Sequence, residues 1–285
     1  MTAEPPGQDR DLPLDAHLHT NLSPDSDVPI DVYAELAVDR GIAELAITDH
    51  VDFAPGLQAY RYSSFEDRER TVREAAERWV DRGVAIRFGC ELTYGSRYED
   101  DVRDHLRRHR YDFTIGSVHD EPDSVYAPQN VAAWCSGRPL SEIVKPYFDE
   151  VTAAARSGLF DTIGHLDYVK RYVYPNVTPA QLSEAPELYE PILRALVESG
   201  TALEVNTSGL RQPPAETYPA EPVVARFRAM GGRAVTTGSD AHRAEALAFG
   251  LEAGYRVASN AGFRSLAFRR GAERLHVPLP ERFQT

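Results

Sequence analysis

The chain has 285 residues, 42% of them hydrophobic and 26% charged, the balance of a globular protein long enough for one large α/β domain or two small ones. A formal net charge of −13 argues against a nucleic-acid backbone as partner, which asks for a basic face, but not against a small anion met by a few cations and arginines inside one cleft. Two cysteines, Cys90 and Cys135, build no disulfide framework and read as small buried apolar residues. The N-terminus has no apolar signal-peptide core and no stretch approaches bilayer length, so a cytoplasmic protein without a membrane partner is expected.

In chain order, short β-rich runs alternate with helical patterns. Residues 12–17 read as the first strand, 29–40 as a helix with Ser26 or Asp27 near its N-cap and Gly41 past its end, and 44–48 as the second strand. Residues 64–82 predict a long charged helix with Phe65, Val72, Ala76 and Trp79 inward, stopped by Gly83. A strand over 84–90, a helix over 99–109, a strand over 111–118, a helix over 141–157, a strand over 160–164 and a helix over 186–199 follow. Strands at 201–206 and 233–237 flank a helix at 221–230, and a helix near 250–260 and a strand near 265–269 close the chain.

Strand then helix, repeated about seven times with no Gly/Ser linker, is the pattern of a parallel-stranded barrel. It is read as one domain over residues 1–285, with 1–11 as a flexible tail. A doubly wound open sheet fits the same alternation. The longer irregular stretches, 52–63, 121–139 and 166–181, each follow the C-terminal end of a strand, where such barrels build their active sites.

His17 and His19 stand two apart at the first strand end and so project to one side, a nucleus for a metal site. Later strand ends add His50 in Thr48-Asp49-His50, Glu91 in Gly89-Cys90-Glu91, His119 in Ser117-Val118-His119 and His165 in Gly164-His165. Asp240 and His242 complete the set in Ser239-Asp240-Ala241-His242. Six of the nine histidines thus fall on one inferred rim, a nitrogen and oxygen ligand set without thiolate that favours Zn, Mn or Fe over Mg or Ca. His105 and His109, spaced i, i+4 among four arginines, read as a solvated helix face because those charges repel a dication. His276 reads as structural. No phosphate loop, H-E-x-x-H or nucleophile elbow is present.

The order of these motifs, with Gly164-His165-Leu166-Asp167 among them, resembles the polymerase and histidinol phosphatase (PHP) metallohydrolases over residues 15–242. The resemblance implies a distorted (β/α)7 TIM-like barrel with a three-metal cluster at the C-terminal end of the strands. Transferred residue by residue, one metal falls to His17, His19, Glu91 and Asp240. A second shares Glu91 and adds His119 and His165, and a third takes Asp25, His50 and His242. Some relatives carry histidine where Asp25 stands; an aspartate still supplies an oxygen ligand but can shift metal preference.

The segments 204–211 and 164–171 resemble the histidinol-phosphatase branch, in which a basic residue from each reaches the substrate phosphate. Here these are Arg211 and Arg171, with Lys170 an alternative to the latter; an arginine fork matches phosphate oxygens bidentately. The implied activity is hydrolysis of L-histidinol phosphate to L-histidinol and phosphate in histidine biosynthesis, with Glu91, Asp240, His242, Arg211 and Arg171 as the catalytic set and three divalent ions (Zn, Mn or Fe) as cofactors. Asp52, Glu121, Phe53 and Tyr62 lie in rim loops and read first as solvated residues. Competing readings are a phosphoesterase for another phosphomonoester or a nucleic-acid end, and a non-catalytic metal-binding barrel; homo-oligomer formation is left open.

Overall fold

The computed structural model describes residues 12–284, so the tail expected at 1–11 lies outside the described residues. The chain opens with β1 (Asp15–Leu18), α1 (Ile30–Arg40), β2 (Glu44–Ile47), β3 (His50–Val51) and α2 (Phe65–Trp79). Then come β4 (Ala85–Thr93), α3 (Glu99–Arg108), β5 (Phe113–Ser117), α4 (Val131–Cys135), α5 (Leu140–Ser157) and β6 (Thr162–Ile163). α6 (Val169–Val173), α7 (Pro179–Ser183), α8 (Glu190–Ser199), β7 (Ala202–Asn206) and α9 (Glu221–Ala229) follow. β8 (Val235–Gly238), α10 (Leu251–Asn260), β9 (Ser265–Arg270) and β10 (Glu273–Pro278) complete it.

Seven strands pair in parallel in the order β1-β2-β4-β5-β6-β7-β8, and the sheet curls until its two edges nearly meet. There the regular ladder gives way to a few bonds. Asp240 N–H donates to His17 O at 2.8 Å and His19 N–H to Ala241 O at 2.9 Å, while the Asp15 carboxylate accepts the N–H groups of Ser239 and Ala248 at 2.8 and 3.1 Å. Gly238 is required at this seam, because a Cβ there would lie 2.2 Å from His17 Cβ. The outer strands thus stand side by side, which excludes the open doubly wound sheet. Burial of β1, β2, β5, β7 and β8 along their whole lengths is what a parallel sheet covered by helices demands.

Local chemistry explains the element ends. α1 stops at Gly41, whose positive φ of 67° lets its N–H reach the carbonyls of Ala37 and Val38. Its N-cap is Pro29 rather than Ser26 or Asp27, since the Ser26 hydroxyl donates to His19 O instead. α2 is capped by Ser64, which accepts from Asp67 N–H. Its buried face is Arg68, Val72, Ala75 and Trp79, while Phe65 and Ala76 are half-buried and pack against the edge of the same core.

Two expectations are corrected at the chain's C-terminal end and in the loops. The last strand does not join the barrel: β9 pairs antiparallel with β10, a hairpin that packs Phe268 on Phe113 with ring centroids 4.6 Å apart and Arg269 on Asp161 at 2.7 Å. The loops expected to be irregular contain the short helices α4, α6 and α7. One continuous apolar cluster links the barrel interior to the surrounding helices. Cys90 lies within it, whereas Cys135 is only half-buried. No helix among the described residues is long and apolar enough to cross a membrane.

Candidate active site

All the rim residues singled out in the sequence arrive at one place, the bowl at the C-terminal ends of the strands. Glu91, near the end of β4 and 1% exposed, stands at its centre. Its Oε2 lies 3.3 Å from the Nε2 atoms of both His17 and His19 and 3.1 Å from His50 Nδ1. Its Oε1 lies 2.9 Å from His165 Nε2 and 3.4 Å from His119 Nε2. Asp240 Oδ1 sits 3.5 Å from His19 Nε2 and 3.4 Å from His242 Nδ1. Asp25 Oδ2 joins His242 Nε2 at 3.0 Å to His50 Nε2 at 3.2 Å, so this loop residue belongs to the bowl and not to a free turn.

Backbone strain aims two of these groups. His165 and Asp240 are non-glycine residues at φ 22° and 53°, each just past a strand end, a conformation that costs roughly 1–3 kcal/mol and that surrounding structure must enforce. β3 does similar work without strain. It resumes pairing on β4 beyond β2, with His50 opposite Glu91, after Thr48 and Asp49 carbonyls take the Glu91 N–H at 3.0 and 3.3 Å.

The charges fit metal ions. Burial works against ionisation of Glu91, yet His17, His50 and His119 hold its carboxyl well below the usual range. Asp240 is held low against burial by His17, His242 and His19, and Asp25 against burial by hydrogen bonds from His242 and His50. Among the imidazoles, burial of His17 is outweighed by Glu204, Glu91 and Asp240, which push it well up. Glu91 and Asp25 lift His50 to about 9 against its burial. Burial, with His242 and His50, drives His19 far down to the neutral form. His17 Nε2 and His19 Nε2 are 3.1 Å apart, and His19 and His165 leave Nδ1 buried without a partner, so their polar contacts run through Nε2 toward the cluster. Protons cannot serve every one of these facing lone pairs; divalent cations can. Three sets of ligand atoms converge: His17, His19 and Asp240, without the Glu91 expected among them; Glu91, His119 and His165; and Asp25, His50 and His242 with His19 added. A fourth joins Asp52 to His50 and His119.

The bowl opens into a cleft of about 1270 Å³, walled by parts of all three long loops and by Tyr168, Arg171, Arg211 and Arg243. Arg211 donates to the carbonyls of Ser239 and Asp240 at 2.8 and 2.6 Å, bracing the turn that carries Asp240. Arg171 donates to the Tyr168 hydroxyl. Lys170 is elsewhere: 2% exposed, its Nζ pairs with Asp167 and Glu216, each at 2.5 Å, and it is not part of the cleft wall. It ties the segment of Arg171 to the loop that follows Arg211.

Of the rim-loop residues, Asp52 and Glu121 reach the cleft. Asp52 is bonded to Thr93 and Ala59, and Glu121 pairs with Arg97. Tyr62 is 51% exposed, and Phe53 packs edge-on against His105, outside the cleft. His105 is not a solvated face, since its Nε2 lies 2.8 Å from the Tyr111 hydroxyl and His109 stacks on Phe65. His276 is exposed on β10.

Glu204 is the residue that sequence reasoning missed. Fully buried in β7, it accepts His17 Nδ1–H at 2.6 Å on Oε1 and His165 N–H at 2.8 Å on Oε2, and Asn206 Nδ2 donates to it at 3.1 Å. A carboxylate on the far nitrogen fixes the tautomer of a metal-facing histidine. Its signal was an acid between Leu203 and Val205 inside a buried strand, Ala202–Asn206, where an unpaired charge would be costly.

A parallel barrel that gathers imidazoles and buried carboxylates at its C-terminal mouth defines a metal-dependent barrel enzyme. The PHP domain model matches residues 15–208, and the chain belongs to the PHP family. It is 31% identical over 264 residues to a probable histidinol-phosphatase of Deinococcus radiodurans, covering 90% of this chain and 96% of that one. It is 28% identical over 257 residues to the histidinol-phosphatase of Lactococcus lactis, covering 89% and 93%. The crystal structure of a histidinol phosphate phosphatase from Lactococcus lactis, complexed with zinc, L-histidinol and phosphate, superposes with a TM-score of 0.80 at 25% identity, over 92% of this chain and 98% of that one.

Proposed function

We propose that this protein is a histidinol-phosphatase, a metal-dependent phosphomonoesterase that hydrolyses L-histidinol phosphate to L-histidinol and phosphate in the cytoplasm. The observation that carries the reading is the single carboxylate of Glu91 facing five imidazoles at 2.9–3.4 Å, the surroundings of a bridging ligand. A PHP relative of known structure that binds zinc, L-histidinol and phosphate supports the substrate. We assign three divalent ions, Zn, Mn or Fe, to His17, His19, Glu91 and Asp240; to Glu91, His119 and His165; and to Asp25, His50 and His242, all within one domain.

When bound, such ions neutralise phosphate charge and make a water nucleophilic at neutral pH. The chain's own residues do the rest. Glu204 orients His17, Glu91 spaces two of the positions, and His242 with Asp25 closes the third. Arg171 and Arg211, from two separate segments of the cleft wall, take the non-bridging phosphate oxygens through their forked donors. The uncatalysed reaction is among the slowest in biology, so the positive charge that bound ions and the cleft arginines would supply is what the barrier demands. Turnover compared on histidinol phosphate, an aryl phosphate and a single-stranded oligonucleotide tests the substrate. Histidinol phosphate is expected to lead in kcat/KM, and preference for either of the others contradicts the reading.

A further inference from the structure

Asp52 has ligand atoms close to His50 and His119, yet its hydrogen bonds point elsewhere. Its Oδ2 accepts the Ala59 N–H at 3.0 Å and its Oδ1 lies 2.5 Å from Thr93 Oγ1. Thr93 Oγ1 is in turn 2.9 Å from His119 Nδ1. Thr93 is buried at the end of β4, and the parallel register of Thr93 with Ser117 sets β4 beside β5 just ahead of His119.

A carboxylate offers only acceptors, and a threonine hydroxyl owns one hydrogen. That hydrogen serves Asp52. The contact between Thr93 and His119 is then a hydrogen bond only if His119 carries a hydrogen on Nδ1, and in the neutral imidazole that a metal ligand must be, Nε2 is left as a lone pair. This lone pair faces Glu91 Oε1 at 3.4 Å, two acceptors that a cation between them would reconcile. Glu204 does the same for His17 directly, at 2.6 Å; Asp52 does it at one remove.

We propose that Asp52 and Thr93 are positioning residues for His119: the carboxylate orients the hydroxyl, the hydroxyl takes the Nδ1 hydrogen, and Nε2 is presented as a metal ligand beside Glu91 and His165. The inference rests on the metal-site reading above. Through the Ala59 N–H the same carboxylate also anchors the loop whose residues Gly56, Leu57 and Gln58 wall the cleft, so the loop and a metal ligand share one fixed point.

Three variants test it. Thr93→Val keeps the shape and removes the hydroxyl, Thr93→Ser restores the hydroxyl, and Asp52→Ala removes the carboxylate. Each full-length protein, as purified with its metals, is equilibrated with rising EDTA. Retained metal is then counted by elemental analysis, and kcat and KM for histidinol phosphate are measured on the same samples. One metal equivalent is expected to leave Thr93→Val and Asp52→Ala at about 10- to 100-fold lower EDTA than wild type, with kcat reduced and KM held, while Thr93→Ser releases as wild type does. Wild-type release from Thr93→Val overturns the proposal. So does loss of an equivalent from Asp52→Ala alone, which would make Asp52 itself a ligand. A wild-type protein that retains its metals but does not hydrolyse histidinol phosphate refutes the substrate assignment, and the release curves still judge the role of Thr93.

Discussion

Glu91 touches every imidazole of the proposed metal cluster except that of His242. Glu91→Ala is therefore expected to lose at least one metal equivalent together with about 10²- to 10³-fold or more in kcat, the scale of losing charge stabilisation in a closed site; full metal content with near-normal turnover would contradict its role. The two arginines separate in the same way. Arg171→Ala should raise KM for histidinol phosphate with a smaller effect on kcat, because that guanidinium's recorded donor contact is to the Tyr168 hydroxyl. Arg211→Ala should lower kcat as well, since it also releases the Ser239–Asp240 carbonyls; steady-state kinetics on both variants decides. At this scale most of the site could be read in the sequence because a metal ligand at a strand end follows a turn and interrupts an apolar run. Glu204 could not be assigned in that way, because it sits within its strand and its partner His17 is 187 positions away. Lys170 had the right neighbour but the wrong direction, drawn inward by Asp167 and Glu216.

Strands and long helices were recovered to within a few residues wherever apolar spacing was strong. β10 was not, since its charged residues face outward and only Leu275 and Val277 turn toward the core, too weak an alternation to read alone. The short helices in the loops carry too few turns to leave a periodic trace. α3 offers a test of how packing replaces solvent. Burial, then His109 and Arg108, pushes half-buried His105 down to about 4, below the ordinary value of about 6.5 in an unfolded chain. Between these values the unfolded chain binds a proton that the folded one does not, so this contribution to stability is present above pH ~6.5 and is lost as pH falls toward 4. His105→Gln should lose less stability than wild type between pH 7 and pH 5, measured by urea midpoints; equal losses would show that His105 does not titrate this way.

At the scale of the molecule, a chain of net charge −13 concentrates imidazoles and three cleft arginines at one barrel mouth, where a small dianion and bound cations can meet despite the acidic balance of the whole. Alternation alone gave a parallel strand–helix fold that an open sheet fits as well as a barrel; closure did not follow from it, because the seam between β8 and β1 depends on Gly238, Asp15 and the strained turn at Asp240, contacts between residues more than two hundred positions apart. The mouth of the barrel is expected to work only as a loaded metal cluster. Phosphate release from histidinol phosphate, followed on one preparation as purified, after exhaustive chelation and after readdition of Zn, Mn or Fe, with metal counted at each stage, tests it most directly. The expected result is activity that disappears with the metals and returns as about three equivalents are restored; undiminished phosphate release from protein shown to hold no metal would contradict it.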